Sequence, residues 1–77
     1  MPHVTITCFE RDFTDQEKER LAKAVTAAVL ENFDTYEGAI SVALEPIAES
    51  DWQEAVFVPE ITGRAHLLIK APNYQAE

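Results

Sequence analysis

The sequence predicts an α+β chain: a single βαβ unit followed by a C-terminal helical segment. Three observations predict it. Two short stretches, His3–Phe9 and residues 39–44, alternate apolar and polar residues. Between them lies one amphipathic pattern of helical period, and a Thr-x-x-Glu sequence from Thr14 to Glu17 opens it. Two strands joined by one helix run parallel, through a right-handed crossover.

The first strand places Val4, Ile6 and Cys8 on one face and His3, Thr5 and Thr7 on the other, the period of a strand with one apolar face. Thr14 and Glu17 form a capping box, in which each side chain satisfies a backbone N–H that the helix start leaves free. The helix then runs to about Asn32. Leu21, Val25, Ala28, Val29 and Phe33 make its buried stripe, while Lys18, Glu19, Lys23 and Glu31 face water. Residues 34–38 turn the chain into the second strand, where Ile40, Val42 and Leu44 share a face. Beyond Pro46 the pattern is helical but broken. Ser50 or Asp51 caps a short helix through Phe57, and Pro59 restarts one as a first-turn residue, to about Ile69. Ala71, Pro72 and Asn73 end it, and residues 74–77 form a tail. The chain has no internal repeat and no low-complexity stretch.

At 77 residues the chain is one domain, 1–77. A chain this short buries only about 60% of its unfolded surface, which leaves it marginal alone. The single Cys8 cannot close an intramolecular disulfide, and no Cys/His set has metal-ligand spacing. A two-stranded sheet is likewise barely stable by itself. Both arguments point to a homo-oligomer, a dimer first, in which two units joined edge to edge complete a four-stranded sheet with both helices on one face.

Six cations stand against fourteen carboxylates, a net charge of −8. That balance excludes nucleic acid and anionic membrane surfaces as partners. No stretch has the length of a membrane span, and the N-terminal residues lack the pattern of a signal peptide. The expected compartment is the cytoplasm, which an unpaired cysteine fits.

Pro2 stands directly behind Met1, at the head of the first strand. If Met1 is removed, Pro2 carries a free secondary amine; if it stays, that nitrogen is a tertiary amide without basicity. A free α-amino group titrates near roughly 8, and burial or a nearby cation lowers that value. Such a nitrogen serves as a general base near neutral pH. The alternative is a rigid residue at the first position of a strand, where the missing N–H costs little.

The ordered set of Met1-Pro2-His3, Cys8-Phe9 followed by Arg11, a helix opened by Thr14, Ile40-Ser41-Val42-Ala43-Leu44, Trp52-Gln53, and Leu68-Ile69-Lys70 with Pro72 and Tyr74 behind it resembles the 4-oxalocrotonate tautomerase family. Within it the chain is similar to a bacterial branch of dimeric tautomerases acting on phenylpyruvate-like enols. The likeness runs almost end to end. It implies cofactor-independent keto–enol tautomerisation with Pro2 as the catalytic base, and it implies no metal. Arg11 then supplies a planar fork for a substrate carboxylate, and Trp52 an apolar face with one N–H donor. The founding enzyme has a second arginine on its second strand, where this chain has Ala43, and Arg11 sits one residue earlier than the founding arginine when both are counted from the proline. The small-molecule partner implied is therefore a 2-keto or enol acid with one carboxylate and an aromatic or apolar tail. Arg64, His3 and Lys70 are the open substitutes for the missing cation.

Each candidate also has a structural role open to it. Arg11 lies between Glu10 and Asp12 and has an acid on either side to pair with. Trp52 serves equally as core or interface anchor, His3 as a structural hydrogen-bonder, and His66 as a half-buried packing residue. Cys8 reads as a small buried hydrophobe, and Lys18 and Lys23 as solvated, locally paired charges. A non-catalytic oligomeric domain that binds a metabolite or protein is the alternative function. Because the strand between them advances about 3.3 Å per residue, Pro2 and Arg11 of one chain cannot meet. A site that uses both is expected to be shared across an interface.

Overall fold

Strand β1 (His3–Phe9) pairs in parallel with β2 (Ser41–Ile47), in a register running from His3 opposite Ser41 to Phe9 opposite Ile47. The computed structural model describes residues 1–75. Helix α1 (Asp15–Asn32) connects the strands and completes the βαβ unit. Its start is the predicted capping box: the Thr14 hydroxyl accepts the Glu17 N–H at 3.0 Å, and the Glu17 carboxylate accepts the Thr14 N–H at 2.9 Å.

The second strand begins later than its alternation suggests. Residues Glu37–Ala39 form a turn of 3₁₀ helix, with the Ala39 N–H bonded to the Tyr36 carbonyl and the Ile40 N–H to that of Glu37. Those donors are spent locally, so pairing begins at Ser41 and runs through Pro46. The Ser41 N–H donates to the Pro2 carbonyl and the Glu10 N–H to the Ile47 carbonyl. Backbone groups alternate sides along a strand, so Pro46 faces outward, at a sheet edge that has no donor to lose. By the same alternation, His3, Thr5, Thr7 and Phe9 turn their backbone groups away from β2, along the free edge of β1.

The buried stripe of α1 is shifted from the expected one, with Ala22 and Thr26 joining it half-buried. Val29 is buried and Leu21 and Val25 are half-buried, while Ala28 and Phe33 are exposed. At 3.6 residues per turn Ala28 lies about a quarter-turn off the centre of that face. Phe33 has left the helix altogether, as a C-cap with extended backbone.

The largest departure follows β2. In place of two α-helices separated at Pro59, the chain makes a 3₁₀ turn (Glu49–Asp51), a π-helix (Gln53–Thr62) and a second 3₁₀ turn (Ala65–Leu67). Pro59 lies inside the π-helix. Its ring would strike the carbonyl four residues back in an α-helix, whereas bonding to the fifth residue, as the Gly63 N–H does to the Val58 carbonyl at 2.8 Å, widens the turn around it. Gly63 is required there by space. A Cβ at that position would come 2.7 Å from the Pro59 carbonyl oxygen. Past this point packing thins: His66, expected to be half-buried, is exposed and Ile69 is fully so, while Leu68 and Pro72 stay half-buried.

The core is small. Val29, Ala39, Val56 and Phe57 are its buried members, half of them from the π-helix. No helix among the described residues is long and apolar enough to cross a membrane.

Candidate active site

Pro2 is half-buried at the head of β1 and is anchored through its carbonyl, which accepts the Ser41 N–H at 3.2 Å. Met1 in front of it is 96% exposed. Beside Pro2, the His3 ring lies between two hydroxyls, with Nδ1 2.6 Å from Ser41 Oγ and Nε2 3.1 Å from Thr5 Oγ1. Hydroxyls donate or accept, so they serve either imidazole tautomer. His3 is thus a cross-strand hydrogen-bonder, with both ring nitrogens engaged.

Arg11 lies past the other end of β1. Its guanidinium donates to Glu17 Oε2 at 2.9 Å and stacks 4.2 Å from the centre of the Phe13 ring. Glu17, not the neighbouring Glu10 or Asp12, is its acid partner. The same carboxylate closes the helix cap, and the Thr14 backbone N–H is the main cause holding Glu17 below the ordinary carboxylate range; partial desolvation opposes this and the Arg11 charge assists it. Over half of the Arg11 side chain remains exposed. It lines a cleft of about 530 Å³ with Lys18, Leu21, Val42 and Leu44. Lys18 makes no ion pair among the described residues, although Lys23 pairs with Glu19 and Arg64 with Glu60. Sequence reasoning passed over Lys18 because helical spacing alone put it on the solvent side.

Trp52 belongs to a different place. It meets Phe9 edge to face, with ring centres 5.0 Å apart, and its indole N–H donates to Tyr74 Oη at 3.0 Å. Tyr74 in turn packs against Phe57 at 5.3 Å. Phe9, Trp52 and Tyr74 line a second cleft of about 520 Å³.

Within one chain, then, Pro2, Arg11 and Trp52 are not brought together. Arg11 and Trp52 both lie near the C-terminal end of β1 but line separate clefts, and seven strand steps, roughly 23 Å, separate Pro2 from Phe9. No cluster of three or more His, Cys, Asp or Glu that could hold a metal occurs among the described residues.

The chain is thus a parallel βαβ unit headed by Met-Pro, with an arginine just beyond its first strand. The family model for tautomerase enzymes matches residues 2–60, and the chain belongs to that family. It is 38% identical over 74 residues to Tautomerase PptA of Enterobacter sp. (strain 638), a span covering 96% of this chain and 97% of the relative. Tautomerase PptA of Klebsiella pneumoniae (strain 342) is 42% identical, and that of Escherichia coli (strain SE11) 36%, over the same shares. The chain is accordingly an enzyme of the tautomerase class.

Proposed function

We propose that this tautomerase uses the nitrogen of Pro2, freed by removal of Met1, as the base in ketonising a small enol acid with one carboxylate and an apolar or aromatic tail. The observation that carries the reading is the free edge of β1, where His3, Thr5, Thr7 and Phe9 present unpaired backbone groups. An exposed strand edge is a template for pairing. On the other edge Pro46 removes a donor, so β1 is the favoured side. Two copies pairing β1 to β1 antiparallel complete a four-stranded sheet. Each β1 then runs opposite its partner, so that Pro2 of the partner subunit lies beside the Phe9 end of this chain, with Arg11 on one side of it and Trp52 on the other.

The chemistry follows from those groups. The proline nitrogen takes the proton of the enol O–H; an oxygen lone pair closes the carbonyl π bond as the C=C π pair breaks and takes the proton back at the neighbouring carbon. No net proton is gained or lost, and no cofactor is needed. Arg11 keeps guanidinium N–H groups beyond the one bonded to Glu17 and can receive the carboxylate, with Lys18 in the same cleft as a second cation.

The test pairs intact mass with rate. Protein lacking Met1 is expected to ketonise phenylenolpyruvate, and protein that retains Met1, or has a residue inserted before Pro2, to lose the activity. Equal rates for the two forms would remove Pro2 as the base.

A further inference from the structure

The bond between Trp52 and Tyr74 has a direction that chemistry fixes. An indole nitrogen only donates, so the tyrosine oxygen is the acceptor in the 3.0 Å contact. The proton of the Tyr74 hydroxyl is therefore not used in that bond. The Tyr74 ring is packed on Phe57, which is buried, and Trp52 is packed on Phe9. Both partners of the bond are thus seated on the fold through their rings, although Tyr74 itself is 47% exposed. The phenol sits in the wall of the 520 Å³ cleft at the end of β1, and the Trp52 N–H, the other donor of the aromatic cluster, is already occupied.

We infer that Tyr74 is a substrate-contacting residue: its hydroxyl, held by the Trp52 N–H, donates a hydrogen bond to the oxygen on which charge develops during ketonisation. The inference rests on the proposed shared site, because it needs Pro2 of the partner subunit at the Phe9 end of β1. When the base has taken the enol proton, the substrate oxygen carries negative charge until the neighbouring carbon is reprotonated. A preorganised neutral donor aimed at that oxygen stabilises this stage more than the ground state. An accepted hydrogen bond from Trp52 strengthens the donor, since hydrogen bonds in a chain polarise one another. Tyr74 keeps its proton throughout, so the proton balance between Pro2 and substrate is unchanged. In the sequence Tyr74 stands in the tail, marked only as one of the positions that carry the family resemblance and with no role of its own.

Tyr74→Phe isolates the hydroxyl, because the ring and its contact with Phe57 are retained. With phenylenolpyruvate, kcat is expected to fall about tenfold, the scale of one hydrogen bond to a charged group, with KM nearly unchanged. A purely structural role would instead lower thermal stability and leave kcat near wild type. Trp52 is the chain's single tryptophan, so its fluorescence reports this cleft alone. Emission is expected to shift in Tyr74→Phe, where the indole N–H loses its acceptor, and to change in the wild type on titration with the unreactive acid 3-phenylpropionate. A wild-type kcat in Tyr74→Phe overturns the inference, as does a Trp52 signal indifferent to 3-phenylpropionate. If wild-type protein lacking Met1 fails to turn over phenylenolpyruvate, the proposed function fails. The contact itself is then decided by whether N-phenyloxamate, an unreactive mimic of the enolate with an oxygen at the reacting position, binds at least about tenfold more weakly to Tyr74→Phe.

Discussion

In the βαβ half of the chain a regular ladder joins β1 to β2, and α1 runs unbroken for 18 residues from a two-way cap. The segment after β2 changes its hydrogen-bond period repeatedly, from a 3₁₀ turn to a π-helix and back. Yet each half supplies two of the four buried residues among those described, and Val56 in the irregular half is the most buried of them, at 4% exposure. The comparison separates local regularity from contribution to the core. The first half is written by local rules that agree with one another. The second is held in an uncommon helix because Val56 and Phe57 are buried there, around a proline that an α-helix would not admit.

The comparison is broken most severely at Phe57. If the irregular segment were an appendage, Phe57→Ala would cost little. Because the ring is buried and supports Tyr74, the expected loss is about 3–5 kcal/mol, measured by urea unfolding followed by circular dichroism. A loss of that size in so small a protein removes most of its stability. A shift in midpoint below that of an exposed control such as Leu67→Ala would show that the core lies wholly in the βαβ half.

A smaller effect sharpens the point at Gly63. Its backbone conformation suits any residue, so the cost of Gly63→Ala comes from the 2.7 Å approach to the Pro59 carbonyl and not from a forbidden φ. The π-helix must give way at its C-terminal end, and the expected destabilisation is about 1–3 kcal/mol, the range for overpacking. If the alanine variant unfolds at the wild-type midpoint, the turn from Val58 to Gly63 opens without penalty.

These differences explain what could be read in advance. The strand pattern of Val4, Ile6 and Cys8, the Thr14–Glu17 box and the end of α1 near Asn32 all rest on signals within a few residues, and the structure has them. The start of β2 shifted by two residues because turn bonds from Ala39 and Ile40 outcompeted an alternating pattern. Pro59 read as a helix start, the commonest meaning of a proline behind an apolar run, and only the packing of Val56 and Phe57 makes it an interior residue. The candidate site divides in the same way. Pro2 and Arg11 were visible as a proline heading a strand and an arginine in a chain poor in cations. The tie between Trp52 and Tyr74 spans 22 positions, and no periodicity could have shown it.

The smallest expected effect concerns the carboxylate that ties the regular half to the candidate site. Glu17 accepts the Thr14 N–H with one oxygen and the Arg11 guanidinium with the other, and its pKa in the folded chain is lowered, chiefly by the Thr14 backbone bond. A carboxylate that binds protons less readily when folded adds stability that is fully present above its unfolded-state value and is lost as pH falls through the lower folded value. Unfolding midpoints measured from neutral pH down through that window should therefore decline less steeply in Glu17→Gln than in the wild type, after the uniform loss of the cap is subtracted. Salt discriminates the two bonds. The ion pair with Arg11 is exposed and screened, whereas the backbone bond is local, so most of the acid dependence should survive added sodium chloride. Should salt abolish it, the Arg11 pair and not the cap holds Glu17 ionised, and Arg11 would be less available to a substrate carboxylate than its exposure indicates.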